Sequence, residues 1–322
     1  MLVLLNSKHL FLDCTVHVVE NSLVDNMVVY PNFLIIGAMK CATSSLQEQL
    51  MLQSGIFMTE LKEPNFFSDD KQYEKGISWY TSLFTPKEVD TLYGEASTHY
   101  TKLPTYPETI TRIKKNIPES SKLKFIYVMR HPIDRLISQY MHEWTQKTIS
   151  ANTDINEAIH KYPELIDYSK YCMQLQPYLD SFGEDRVLPV FFERLVDNPE
   201  EELERICQFL NYPYPAHWHQ DLAASNVSSK RMRKSEWRDF LVETPGLKTI
   251  RKRLVPHSFR ERVKKLWMMS ERPQLSVESL EYLETIFDQD LRKLGCWLDM
   301  KSLCCNNFKD LVKRKKTPLF RI

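Results

Sequence analysis

One short stretch of the chain has the composition of a phosphate-binding loop. Gly37 permits a tight turn, Lys40 supplies a positive charge, and three hydroxyl side chains follow at Thr43, Ser44 and Ser45. The N–H groups at a helix start point towards an anion, and the helix dipole favours its negative charge. We therefore expect this loop to hold a phosphate, with the lysine beside it.

The flanking residues predict the elements that position this loop. Residues 33–36 are a continuous apolar run, typical of a strand buried on both faces of a parallel sheet. Leu46 and Leu50 give the following helix an apolar face. The loop differs from a Walker A motif, in which a glycine directly precedes the lysine and a serine or threonine. On this stretch alone, an ordinary strand–loop–helix with an exposed lysine is the alternative.

A second strand–helix unit carries Arg130 and Ser138. Residues 123–129 have the pattern of a buried strand, and Pro132 opens a helix at the position where its missing N–H costs nothing. An arginine at a strand end and a hydroxyl on the next helix bind one phosphate through charge-assisted hydrogen bonds. An ion pair between Arg130 and an aspartate would explain the arginine alone, but it would not explain the whole motif.

The two elements resemble the phosphate-binding motifs of sulfotransferases that use 3′-phosphoadenylyl sulfate (PAPS). The first resembles their 5′-phosphosulfate loop, and FIYVMRHPIDRLISQY resembles their 3′-phosphate signature. The resemblance runs from about Pro31 to Trp297. It implies a single α/β domain at 31–300, with a central parallel sheet flanked by helices as in P-loop nucleotide hydrolases. Residues 1–30 are expected to be a lead-in, and 301–322 a basic tail.

The resemblance also implies which residues bind the donor. It assigns the PAPS phosphates to the first loop, to the 3′-phosphate signature and to a late basic loop. These donor-binding residues are Lys40, Cys41, Ala42, Thr43, Ser44, Ser45, Arg130, Ser138, Lys230, Arg231 and Arg233. No metal is implied. A solvated basic loop is the alternative interpretation for the last three.

Four residues are expected to act in the chemistry. The segment GEASTHY is similar to the E-x-[ST]-x-x-Y element that carries the catalytic glutamate of heparan-sulfate sulfotransferases, so Glu95 is the expected base and His99 its alternative. Lys40 is expected to stabilise the leaving oxygen, and Lys62, in the segment KEPNFF, to be a second cation. A glutamate taken alone is more often a solvated surface group.

Composition limits the partners and the cellular compartment that the chain can have. A net charge of +1 excludes a strong overall attraction to nucleic acid or membrane, so any basic patch, such as 248–265, must be local. Seven irregularly spaced cysteines indicate neither a zinc site nor a disulfide framework. No run approaches the ~20 apolar residues of a membrane span. We expect a cytoplasmic enzyme, or one in the Golgi lumen if the chain is a truncated eukaryotic member.

The predicted reaction is sulfuryl transfer from PAPS to a hydroxyl or amine of a small molecule or, by resemblance, a glycan. A non-catalytic module that binds nucleotides or polyanions is the alternative from another class, and a P-loop kinase is a weaker one. Further strands are expected at 15–19 and at 186–192, where Pro189 suggests an edge. Further helices are expected at 109–117, 156–161, 169–182, 200–210 and 280–297.

Overall fold

The computed structural model describes residues 28–87, 90–220, 272–314 and 318–321, together with the backbone of 231–232 and 268–269. The strand expected at 15–19 and the basic stretch at 248–265 lie outside these residues. The domain boundaries that the sequence suggests stay a prediction. None of the described helices is long and apolar enough to cross a bilayer.

Five parallel strands form the central sheet. They are β1 (Phe33–Gly37), β2 (Ile56–Met58), β3 (Leu92–Ala96), β4 (Lys124–Met129) and β5 (Val187–Phe191). Their order across the sheet is β2-β3-β1-β4-β5, and every pairing is parallel. The predicted α/β class with a parallel sheet flanked by helices is therefore confirmed. Pro189 lies on an edge strand, as expected.

Twelve helices occur in the described part of the chain. In order they are α1 (Thr43–Met51), α2 (Asp70–Tyr73), α3 (Ile77–Thr81), α4 (Thr109–Asn116), α5 (Pro132–Gln146), α6 (Ile155–Lys161), α7 (Glu164–Asp167), α8 (Tyr171–Phe182), α9 (Phe192–Asp197), α10 (Pro199–Leu210), α11 (Val277–Trp297) and α12 (Phe308–Arg314). Short 3₁₀ turns lie at Thr98–Thr101 and Cys305–Asn307, among others. An antiparallel pair joins β6 (Arg231–Met232) to β7 (Met268–Met269).

Local chemistry explains how several of these elements begin. Pro132 opens α5 as predicted, and the ring of His131 accepts a bond from the N–H of Asp134. Asp154 and Ser276 cap α6 and α11 through their side-chain oxygens. The apolar run of β1 is fully buried because strands cover both of its edges and helices pack on the sheet.

The segment after Lys301 differs from the expected basic tail. It contains a 3₁₀ turn and helix α12, in which Phe308 and Val312 are fully buried. The two apolar residues are four positions apart and share one face of the helix. Two basic residues of this helix form ion pairs. Lys309 Nζ lies 2.7 Å from Asp134 Oδ2, and Lys313 Nζ lies 2.6 Å from Asp197 Oδ2.

Close packing between β1 and β3 generates a first prediction. A Cβ atom added at Gly94 would lie 2.3–2.7 Å from ring carbons of Phe33, its partner across the sheet. Overpacking of this kind costs about 1–3 kcal/mol. Gly94→Ala should lower the free energy of unfolding by that amount, as measured by urea denaturation. In a Phe33→Leu background the cost should fall; an equal cost in both backgrounds would contradict the assigned clash.

Candidate active site

The loop after β1 is built around a close approach between two strand ends. Gly37 has φ +149°, and a Cβ there would meet the hydroxyl oxygen of Thr101 at 2.1 Å. That hydroxyl donates a hydrogen bond to the carbonyl of Ile36 at 2.6 Å. The 3₁₀ turn that follows β3 is therefore fixed against the start of the phosphate loop.

Helix α1 begins with no side-chain cap. Its N-cap residue is Ala42, in the left-handed region at φ +65°, and Lys40 also has a left-handed φ of +72°. The N-cap position therefore offers no side-chain acceptor to the first N–H groups of the helix. N–H groups in a first helical turn have no carbonyl partner inside the helix. A loop of this shape, with the dipole of α1 behind it, suits an anionic ligand.

The side chain of Cys41 is a structural part of this loop, and its thiol donates to the carbonyl of Met39 at 3.8 Å. Its side chain is fully buried, and burial raises the pKa of the thiol to about 12, against the opposing charges of Arg135, Arg130 and Lys40. The thiol is protonated at neutral pH and has no nucleophilic role. Three cations, Arg135, Arg130 and Lys40, and one carboxylate, Glu193, act on this thiol, so positive charge predominates there.

Arg130 lies at the end of β4, beside β1 in the sheet. Its guanidinium lies 4.5 Å from the ring centroid of Phe192, and its Nε is buried with no hydrogen-bond partner. The backbone N–H of Arg130 donates to the hydroxyl of Tyr171 at 3.2 Å, and that of His131 donates to Glu193 at 2.9 Å. A buried donor without an acceptor costs roughly 1–3 kcal/mol, and an anion placed here would remove that cost.

Two further residues that the sequence analysis assigns to PAPS binding lie on helix α5 or in a strand that contacts it. Ser138 is half-buried on α5. The backbone of Arg231 forms β6, which contacts α5. Lys230 and Arg233 lie outside the described residues.

Arg135 has a role that the sequence did not reveal. Its guanidinium is fully buried and donates to the Ser169 hydroxyl at 2.5 Å and to Gln139 Oε1 at 2.7 Å. It also reaches the carbonyls of Leu165 at 3.0 Å and Met39 at 3.5 Å. The last bond joins helix α5 directly to the phosphate loop. The spacing of this second arginine in the RHPIDR string was the available signal.

Glu95, the expected base, lies inside the core. Its side chain is 0% exposed and accepts hydrogen bonds from the hydroxyls of Tyr100 at 2.6 Å, Ser97 at 2.8 Å and Tyr80 at 3.4 Å. Burial raises its pKa from 4.5 to about 7, although the three donors act in the opposite direction. Glu95 is therefore a fully buried carboxylate in this structure, and its role as the base stays a prediction.

Glu63, which the sequence analysis did not single out, is the half-buried carboxylate of the neighbouring loop. Its oxygens each accept from the hydroxyl of Thr98 at 3.3 Å. Both Glu63 and Asn65 have left-handed backbones, with φ of +50° and +53°, and the N–H of Asn65 donates to the Ser97 hydroxyl at 3.0 Å. Lys62 is exposed, one residue earlier. The signal for Glu63 in the sequence was its position in the segment KEPNFF.

His99 lies in the turn that follows β3, and its surroundings disfavour the protonated imidazole. Its Nδ1 is buried without a partner, and its ring stacks on that of Tyr106 with a centroid distance of 4.8 Å. Burial, assisted by the charge of Lys102, lowers its pKa from 6.5 to about 4. The imidazole is therefore neutral at physiological pH.

The phosphate-binding features all lie at the carboxyl ends of adjacent parallel strands, where open α/β sheets bind ligands. The loop follows β1, Arg130 follows β4, and the turn Thr98–Thr101 follows β3. No group of three or more His, Cys, Asp or Glu residues within the described ranges could hold a metal ion.

Comparisons with known proteins agree with this site. A family model described as "Sulfotransferase domain" matches residues 30–295. The chain is 32% identical over 187 residues to heparan sulfate glucosamine 3-O-sulfotransferase 3B1 of Mus musculus, covering 56% of this chain and 46% of that protein. It is 30% identical over 149 residues to the membrane-associated sulfotransferase kil1 of Dictyostelium discoideum, covering 44% and 30%. The chain thus spans about half the length, or less, of these relatives.

Among solved structures, a sulfotransferase from Alicyclobacillus acidocaldarius is 27% identical. The similarity covers 62% of this chain and 90% of that chain, with a TM-score of 0.49.

The buried carboxyl of Glu95 generates a prediction about stability. Because its pKa is raised in the folded protein, its stabilising contribution is complete below pH 4.5 and is lost as the pH rises through 7. The shift corresponds to roughly 3 kcal/mol. Glu95→Gln has no such titration, so the unfolding free energy of wild type minus that of the variant should fall by about this amount between pH 4.5 and 7.5. A constant difference, measured by urea denaturation, would contradict the assignment.

Proposed function

The chain belongs to the sulfotransferase domain family, and from that premise we propose that it transfers a sulfuryl group from PAPS to a hydroxyl or amine of a glycan. One observation supports this most directly: two anion-binding features stand at the ends of adjacent strands. They are the uncapped loop before α1 and the unpaired Arg130 Nε. PAPS carries a phosphosulfate and a separate 3′-phosphate, so its two anionic groups match these two features.

The roles in donor binding follow from the two features. The backbone of the loop at 40–45 and the ammonium of Lys40 would hold the 5′-phosphosulfate. Arg130 and Ser138 would hold the 3′-phosphate, with Arg130 Nε gaining the acceptor it lacks. The reaction needs no metal, because Lys40 and the helix N-terminus supply positive charge at the leaving phosphate.

The transfer itself moves one group and one proton. A bond forms between the acceptor oxygen or nitrogen and sulfur, while the bond from sulfur to the bridging phosphate oxygen breaks. The leaving group is adenosine 3′,5′-bisphosphate, whose new negative charge Lys40 stabilises. The acceptor proton passes to a base, and Lys62 is a candidate second cation near that base.

We propose Glu63 as this base in place of Glu95. Glu63 is half-buried, whereas Glu95 is fully buried and receives three hydroxyl donors. A general base must come within hydrogen-bond reach of the proton it removes. The half-buried carboxylate meets that requirement without opening the core. Glu95 then positions Ser97 and Tyr100, which support the loop of Glu63 and the turn after β3.

A glycan acceptor is supported by the names of the relatives, several of which are heparan sulfate glucosamine 3-O-sulfotransferases. The expected cytoplasmic location, with the Golgi lumen as its alternative, stays a prediction. The kil1 relative is described as membrane-associated.

Donor binding is the first test of this function. Isothermal titration calorimetry should show adenosine 3′,5′-bisphosphate binding without added metal and more tightly than ATP. Arg130→Met should weaken that binding by roughly 10- to 150-fold, the equivalent of a hydrogen bond between charged groups. Arg292→Met, an exposed arginine on α11, is the matched control and should bind like wild type. Equal affinities for ATP and the bisphosphate would reject the 3′-phosphate site.

The base assignment has its own test. Glu63→Gln should lower kcat by roughly 10²–10⁴, the usual contribution of general base catalysis, and leave bisphosphate affinity unchanged. Transfer from radiolabelled PAPS to a panel of sugars, lipids, phenols and proteins provides the assay. Glu60→Gln changes an exposed carboxylate nearby and should have no effect. A larger loss in Glu95→Gln or His99→Asn than in Glu63→Gln would reassign the base to that residue.

A further inference from the structure

Helix α8 begins at Tyr171, whose phenol holds the backbone that carries Arg130. The Tyr171 hydroxyl accepts from the N–H of Arg130 at 3.2 Å and donates to the carbonyl of the same residue. The side chain of Tyr171 is fully buried, and its ring packs edge-on against that of Tyr127 on β4, with the centroids 6.1 Å apart. Because the ring is enclosed in this way, the position of the hydroxyl depends on where α8 begins.

The first turn of α8 is capped by a residue of another helix. Its own N-cap residue, Lys170, donates no side-chain acceptor to it, and the first N–H groups of a helix have no carbonyl partner inside that helix. Asp290, on α11, supplies the acceptor. Its two carboxylate oxygens accept from the N–H of Cys172 at 3.2 and 3.1 Å, and the N–H groups of Tyr171 and Met173 also act on this carboxylate.

Further contacts hold α11 against α8 at this point. The Cys172 thiol donates to the backbone carbonyl of Asp290 at 3.4 Å, and the ammonium of Lys293 donates to Gln176 Oε1 at 2.8 Å. Burial raises the pKa of Asp290 from 3.8 to about 6, whereas the backbone N–H groups and the charge of Lys293 oppose that rise. At pH 7.5 the group is therefore mainly an ionised carboxylate, the form that makes the stronger hydrogen bonds to N–H donors.

We propose that Asp290 is a positioning residue for the 3′-phosphate site, acting on Arg130 through Tyr171. This inference rests on the proposed function, which assigns Arg130 to that phosphate. Without the carboxylate, the first turn of α8 loses its acceptor, and the Tyr171 hydroxyl no longer holds the backbone of Arg130 in place. Binding groups need such support, because small displacements weaken the contacts that they make with a ligand.

Two ligands that differ only in the 3′-phosphate test this proposal. Adenosine 3′,5′-bisphosphate and adenosine 5′-monophosphate are titrated by calorimetry at pH 7.5, and the ratio of their affinities is compared between variants. Asp290→Ala should lower this ratio roughly 3- to 10-fold, and Tyr171→Phe, which removes both bonds to Arg130, roughly 5- to 30-fold. An unchanged ratio in either variant would overturn the proposal. If Asp290→Ala does not fold, Asp290→Asn keeps the size of the side chain and provides the same comparison.

A double variant tests whether the effect passes through Tyr171. In a Tyr171→Phe background, Asp290→Ala should lower the affinity ratio no further, because the bonds that it supports are already absent. A full additional loss would mean that Asp290 acts by another route, and it would also overturn the proposal.

A matched control separates positioning from stability. Asp154 is another helix-capping carboxylate, and it accepts from the N–H groups of Asn156 and Glu157 at the start of α6. Asp154→Ala should lower the free energy of unfolding and leave the affinity ratio as in wild type. If it lowered the ratio as much as Asp290→Ala does, the effect would be a general loss of stability and the proposal would fail.

The two hypotheses fail separately. If wild type did not prefer the bisphosphate to the monophosphate, the proposed function would be contradicted, because that preference tests the 3′-phosphate site itself. A normal preference in wild type that neither Asp290→Ala nor Tyr171→Phe changes would contradict only the inference about positioning.

Discussion

The site depends on a buried positive charge that no carboxylate of the described residues neutralises at close range. Arg135 is fully buried, and its hydrogen-bond partners are a hydroxyl, an amide and two carbonyls, all of them neutral. Burial lowers its pKa, yet arginine stays charged in proteins. Its charge therefore extends to the phosphate loop, where it acts on Cys41. The fold holds this charge in place before any anion arrives, so binding requires little reorganisation.

The cleft has two different sides. Arg130 follows β4, and Arg135 donates to the carbonyl of Met39 in the loop after β1, so this side favours a ligand with several negative charges. On the other side, after β3, the carboxylate of Glu63 accepts from the hydroxyl of Thr98. A highly charged donor and an acceptor that must lose a proton need these two environments. The strand order supplies both, because β3 and β4 lie on opposite sides of β1.

The sequence predicted the features that depend on local pattern. The buried strands, the loop after Gly37 and the helix opened by Pro132 all follow from apolar runs and from the preferences of single residues. Strand β2 was missed because it has only three residues. Helix α12 was missed because its basic composition conceals the pair Phe308 and Val312.

The site was harder to predict because exposure is a tertiary property. Glu95 comes just before a polar segment, which suggested that it reaches the cleft. Tyr80, from a helix fifteen residues earlier, and Tyr100 instead close over it. Glu63 lies in the recognisable segment KEPNFF, but only the fold shows that it is half-buried whereas Glu95 is fully buried. That information is distributed over distant parts of the chain.

The turn at Arg130 shows how far that distribution extends. The phenol of Tyr171 bonds to both backbone groups of Arg130, and Glu193 holds the N–H of His131. The ring of His131 contacts the carbonyl of Cys305 at 3.0 Å and the ring of Phe308 at a centroid distance of 5.8 Å. Three segments, the last more than 170 residues away in sequence, thus fix the backbone that aims one guanidinium. The motif specifies the chemistry of the phosphate contact, whereas its geometry is set by residues outside the motif.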